Sequence, residues 1–242
     1  MNRKLLMTLK LAAALPATAG ELRAVVPVVG STRGAFGSNF KTELQLNNRS
    51  AQRMQGTLVL HPQDGGAPLS LSYDLAPHAT LHWADVMESY ETSGLGSLDI
   101  VTDAKGVPAA IARAFDDRGD DGTTGTTVPA IAVDEVLHAG TSATLILPAD
   151  RQRFRYNVGV RTFGEGATVL VSIYGENGVL RKSLDPRSWS ADVFTQTSAD
   201  DFAGEPLLAN ESLVFKVTAG AAVIYGTTTD NITNDPSITI AH

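Results

Sequence analysis

The chain carries one layout twice. Phe40-Lys-Thr-Glu-Leu-Gln-Leu-Asn47 returns as Phe154-Arg-Tyr-Asn-Val-Gly-Val-Arg161, and the rest of each copy keeps step. Gly65, which ends an apolar run, is answered by Gly178, and Leu98 is answered by Leu213. Asp116 after Ile-Ala-Arg-Ala-Phe is answered by Asp230 after Ile-Tyr-Gly-Thr-Thr-Thr, 114 residues later, the same separation as Phe40 to Phe154. A spacing that stays within a residue or two of 114 means two copies of one domain; a short solenoid repeat would recur far more often. The copies are expected at residues 22–133 and 143–242, with 134–142 as a linker.

Composition narrows the class of protein. Hydrophobic residues are 43% and charged residues 19%, the balance of a folded globular chain, and 242 residues suffice for two domains with their own cores. The net charge of −7 and the absence of any basic stripe interleaved with aromatics argue against a nucleic-acid or anionic-membrane partner. Cysteine is absent, which removes disulfides, thiolate metal sites and cysteine nucleophiles together.

The first nineteen residues read as an export signal. Met1-Asn-Arg-Lys is a positive start, Leu5 to Leu15 is mostly apolar, and Ala17-Thr-Ala19 before Gly20 has the small-x-small form of a cleavage site. Lys10 interrupts the apolar run. No other stretch approaches the roughly 18 apolar residues that read as a membrane-spanning helix. Export without cysteine fits a bacterial envelope or secreted setting.

Strand signals dominate the remainder. Thr42-Glu-Leu-Gln-Leu, Gly56-Thr-Leu-Val-Leu-His, Thr168-Val-Leu-Val-Ser-Ile-Tyr and Ser212-Leu-Val-Phe-Lys-Val alternate or nearly alternate. Turn residues bound them, at Asp64-Gly-Gly, Glu176-Asn-Gly178 and Asn234-Asp-Pro236. Pro27 and Pro148 mark the opening strands as sheet edges, because proline cannot donate to a ladder. About seven short strands per copy give an all-β chain of two tandem immunoglobulin-like β-sandwich domains. Two features break the symmetry: an insertion, Ser31 to Gly37, and a one-turn helix capped by Asp85, both in the first copy.

Phe154-Arg-Tyr-Asn157-Val-Gly159, the Leu184-Asp-Pro-Arg-Ser-Trp189 turn, Asp230-Asn-Ile-Thr233-Asn-Asp-Pro236 and Gly37-Ser-Asn-Phe40 carry a resemblance. They resemble an uncharacterised family of secreted bacterial proteins with two duplicated immunoglobulin-like sandwich repeats. The family's typical strand is F-R-T-N-x-G, and its typical ending is D-N-x-T-x-D-P. Tyr156 stands where the family usually has threonine, and Arg161-Thr-Phe163 where an asparagine-containing turn is usual. The resemblance implies a secreted, non-catalytic module and supplies no substrate.

Few residues carry chemistry. Asp116, Asp117, Asp120 and Asp121 crowd one loop, and four carboxylates in six residues are the donor type Ca²⁺ takes. The spacing departs from the EF-hand, and Asp-Gly loops equally make hairpin tips. Arg118-Gly-Asp120 spells an integrin-type tripeptide, which three residues match readily by chance. His78, His82 and Asp85 have the donor types of a zinc site, although Asp85 has a capping role available. No G-x-S-x-G elbow, H-E-x-x-H helix or phosphate-binding glycine loop occurs. Trp83 and Trp189 are taken as equivalent between copies, hence packing residues; exposed, they would form a sugar-stacking platform. Asn48, Asn210 and Asn231 begin glycosylation triplets that matter only in a eukaryotic host.

The expectation is a secreted or periplasmic interaction or structural module whose partner is a protein or surface polymer, with self-assembly through edge strands such as Ser237 to Ile240. A Ca²⁺-dependent or carbohydrate-binding module is the alternative. The rule the duplication supplies is simple: features of both copies serve the fold, and features of one copy are where function is sought.

Overall fold

The computed structural model describes residues 20–103 and 106–242, so the expected signal segment lies outside the described residues. The chain is all-β, with 60% of residues in strands and 7% in helix, arranged as two antiparallel sheets. The first comprises β1 (Glu21–Arg33), β2 (Asn39–Asn47), β3 (Met54–Pro62), β4 (Leu69–Leu75), β5 (Thr80–Trp83), β6 (Gly94–Thr102), β7 (Ala109–Asp117), β8 (Thr123–Val128) and β9 (Ile131–Ala132). The second comprises β10 (Leu137–His138), β11 (Ser142–Ile146), β12 (Phe154–Tyr174), β13 (Leu180–Ser183), β14 (Arg187–Trp189), β15 (Phe194–Ser198), β16 (Ser212–Asp230) and β17 (Pro236–Ile240). A single helix turn, α1 (Ala199–Ala203), follows β15.

Each sheet folds back on itself into two layers. In the first, β4-β3-β6-β1 faces β5-β2-β7-β8, and β1 joins them by pairing Thr32 with Phe40. In the second, β13-β12-β16-β11 faces β15-β12-β16-β17, because the long strands β12 and β16 bend and serve both layers. The pairing repeats with the sequence. Phe40 opposes Asp116 as Phe154 opposes Asp230, and Asn47 opposes Ala109 as Arg161 opposes Val223. In the other layer Leu60 opposes Leu98 as Ile173 opposes Leu213, offsets of 113 and 115. The shift occurs at the corners, where loops after Asn47 and Thr102 in the first repeat become bulges within β12 and β16.

Alternation places Leu44, Leu46, Leu58, Leu60, Leu98 and Ile100 in the first interior. Val158, Val160, Val169, Val171, Ile173, Leu213 and Phe215 fill the second. Two tyrosines cover glycines across the second repeat's ladder. The ring of Tyr225 lies where a Cβ on its partner Gly159 would stand, and the ring of Tyr156 does the same over Gly226. Tyr156 thus comes with a glycine that fits it.

The one-turn helix expected in the first copy alone has a counterpart. In the first copy it is a 3-10 turn at Glu88–Tyr90 with Met87, not Asp85, at its N-cap; Asp85 Oδ1 accepts from the Met87 amide at 3.1 Å just before it. In the second copy Ser198 caps α1, which buries Phe202. Both turns plug one end of a sandwich, so this feature belongs to the fold. The tryptophans, in contrast, are not equivalent. Trp83 opposes Leu44 from β5, whereas the corresponding residue opposite Val158 is Thr197, and Trp189 opposes Ala167 from β14. Both are half-buried against their own repeat's core, which is a packing role.

The two repeats share their interiors. Phe194 and Tyr225 point away from the second core and are buried within the first, with Ile238 and Ile240 packed beside them. Val25, Ile131, Val136, Phe163 and Val223 form a smaller cluster along the seam. β17 lies beside β8, with Ile238 and Ile240 turned to the first repeat and Ser237 and Thr239 exposed. The connecting segment is held as well: Leu137 opposes Ala222, and the Gly140 amide donates to the Val217 carbonyl at 2.8 Å.

Candidate functional site

The acidic loop does not gather its four carboxylates. Asp116 is buried and its Oδ1 accepts from the Asn39 amide at 2.6 Å, while Oδ2 receives the Arg118 guanidinium at 3.3 Å. Asp117 accepts from Lys41 at 2.9 Å and from the Gly119 amide at 3.1 Å, and the lysine holds its carboxyl below the ordinary range. Asp120 and Asp121 are exposed on a one-turn 3-10 helix. Asp230, the counterpart of Asp116, likewise ties its strand end, accepting from the Ile232 and Thr233 amides and from Arg153. The pair recurs because both copies need a strand-end anchor.

The histidines also stand apart. His82 meets Glu43 at 3.1 Å, His78 occupies a turn at φ 61, and Asp85 is spent on Met87 and the Ser31 hydroxyl. Among the described residues no group of three or more His, Cys, Asp or Glu side chains is placed to hold a metal. Asn48 is fully buried, its amide donating to the carbonyls of Gln52, Leu75 and Ala76, so that triplet is a corner of the fold.

Loops of both repeats do meet at one end. Asn234 donates from its side chain to the Phe36 carbonyl at 3.1 Å, and Arg118 donates to the Thr233 carbonyl. The Arg155 guanidinium lies 5.6 Å from the Phe36 ring centroid and donates to the side-chain oxygens of Asn231 and Asn234 at 3.1 and 3.2 Å. Burial lowers the pKa of Arg155, against the raising influence of Asp116 and Asp230. Phe36 is 67% exposed and sits at φ 56, a left-handed conformation that bulky residues rarely adopt. Ile232 is 78% exposed on the neighbouring loop. Beside them the Arg33 to Asn39 loop lines a depression of about 300 Å³. Of this set the sequence singled out the Ser31 to Gly37 insertion and the acidic loop; Arg155 and Ile232 stood inside the resemblance motifs but were not picked as binding residues.

A second polar cluster lies under the seam. Asp99, on the outer face of the first repeat, accepts both Arg161 Nη2 contacts at 3.0 and 2.8 Å and the His61 Nε2 contact at 2.9 Å. Arg161 is fully buried, with its guanidinium 4.8 Å from the Phe163 ring centroid. Ser97 stands opposite His61 in the ladder and is buried without a hydrogen bond. The residue types of a hydrolytic triad therefore adjoin, yet the serine makes no bond to the imidazole and Arg161 occupies the carboxylate. The signal was present in the sequence: Ala221-Ala-Val-Ile-Tyr225 is apolar without alternation, the mark of a strand covered on both faces.

Along the seam runs a largely apolar groove of about 550 Å³ between Ile131, Val136, Val223 and Ile240. Among the described residues no helix is long and apolar enough to cross a membrane. No protein-family model, curated protein or solved structure matches the chain.

Proposed function

We propose that the chain is an exported, non-catalytic pair of immunoglobulin-like sandwiches that binds a protein or surface polymer of the bacterial envelope through the loops both repeats contribute. The observation that carries this reading is the exposed, backbone-strained Phe36 beside exposed Ile232 and Arg155. A strained residue persists only where its surroundings hold it, and such residues concentrate at binding and catalytic sites. The partner contact is apolar at Phe36 and Ile232 and cationic at Arg33 and Arg155. Export by residues 1–19 and cleavage before Gly20 belong to the same reading.

The test uses purified chain starting at Gly20, fluorescently labelled and titrated onto envelope from the encoding bacterium. Saturable binding is expected, weakened at least about tenfold in Phe36→Ser/Ile232→Ser, the scale of losing a central anchor. The melting temperature should hardly change, since both side chains are exposed. Binding that never saturates, or an unaffected double variant, would sink the proposal.

A further inference from the structure

The structure assigns the Arg161–Asp99 pair the role of an orientation key that selects one arrangement of the second repeat on the first. The apolar part of the seam cannot make that choice alone. Phe194, Tyr225, Ile238 and Ile240 meet the first core through apolar contacts whose driving force has no direction. The polar contacts at the rim, Arg118 with Thr233 and Asn234 with Phe36, are open to solvent or only half-buried, where water competes for both partners.

The pair under the seam is different in kind. Arg161 is fully buried and Asp99 is 6% exposed, so any docked arrangement that separates them leaves Asp99 with His61 alone and Arg161 with only the half-exposed Asp192 at 3.3 Å. One nitrogen, Nη2, reaches both oxygens of the carboxylate, while Nη1 is held by the Thr162 carbonyl and Asp192, so the guanidinium is fixed from two sides. His61 holds the second face of Asp99 at 2.9 Å, and Phe163 supports the guanidinium from beneath. The key is single. The residue that corresponds to Arg161 in the first repeat is Asn47, since Asn47 opposes Ala109 as Arg161 opposes Val223. A buried ion pair is seldom a net stabiliser against apolar residues of equal size, which leaves geometry as its use here.

The absence of cysteine makes the test direct. Spin labels at Ser72→Cys on β4 and Ser183→Cys on β13, both exposed, report the separation of the two repeats. The parent should give one narrow distance distribution. Asp99→Leu/Arg161→Met leaves no unpaired charge; it should melt within about 3 °C of the parent, roughly a 1 kcal/mol change, while its distribution broadens or gains a second maximum. Arg161→Lys keeps the charge and loses the second nitrogen held by the Thr162 carbonyl and Asp192, and should broaden the distribution as well. A double variant with the parent's single narrow distance overturns the inference. So does a double variant that fails to fold, because the pair would then be a stabiliser.

Discussion

Single residues in this chain act mostly by what they leave behind when changed. Arg161→Met removes the cation that reaches both oxygens of Asp99 and, among the described residues, leaves that carboxylate buried with His61 as its partner. Breaking a buried pair in this way costs about 3–5 kcal/mol. A denaturation curve should show the midpoint falling with the slope unchanged. Asp230 acts through titration. The Ile232 amide, then the Arg153 guanidinium and the Thr233 amide, hold its carboxyl below the ordinary 3.8. A lowered folded-state pKa gives stability that is present above the unfolded value and lost as pH falls through the folded one. The melting temperature should therefore drop below pH 3.8, and Asp230→Asn, which keeps an oxygen for the two amides, should show a shallower acid fall. Asp117 adds to the same acid limb through its Lys41 contact. A melting series from pH 6 downward, run on both proteins, checks the sign.

At the scale of elements, the decisive difference between the copies is at the corners. The first repeat turns through loops; the second bends β12 and β16 through bulges and brings their backbones together at Gly166 and Gly220. Gly220 has φ 71, and a Cβ there would overlap the Gly166 carbonyl. Gly220→Ala should cost about 1–3 kcal/mol through backbone displacement, whereas Gly178→Ala, on an open turn, should cost only the left-handed penalty of about 1 kcal/mol. Comparing the two unfolding midpoints separates overlap from conformation. The correspondence of the copies was legible in the sequence because a fixed offset carries register from one to the other: with Phe40 opposite Asp116, Phe154 falls opposite Asp230. The partners of each strand were not: 97–102 and 108–115 read as a pair, yet β6 pairs β1 and β3 while β7 pairs β2 and β8. The tryptophans misled because similarity of residue type says nothing of register, and β14 and β15 share the work that β5 does alone. The acidic loop was visible as composition, but its partners Asn39 and Lys41 come from a strand 76 or 77 residues away.

For the whole molecule, what matters is that the first repeat is completed by the second. Phe194 and Tyr225 belong to its core, and β17 covers the flank of β8. The second repeat closes its own flank, where the Ala241 amide donates to the Ile224 carbonyl and the Thr144 amide donates to the His242 carbonyl. The docking was hard to read because outward residues of β16 look the same whether they face solvent, a partner or the neighbouring repeat; only the unbroken apolar run hinted at cover. Two consequences follow from shared packing. The chain from Gly20 should unfold in one calorimetric transition whose van 't Hoff and calorimetric enthalpies agree, and two resolved peaks would show that the repeats are energetically separate. Residues 20–133 alone should expose the surface that Tyr225 and Phe194 cover, bind a hydrophobic dye and lose cooperativity, and adding residues 134–242 in trans should quench that dye signal if the seam is as specific as its buried ion pair demands.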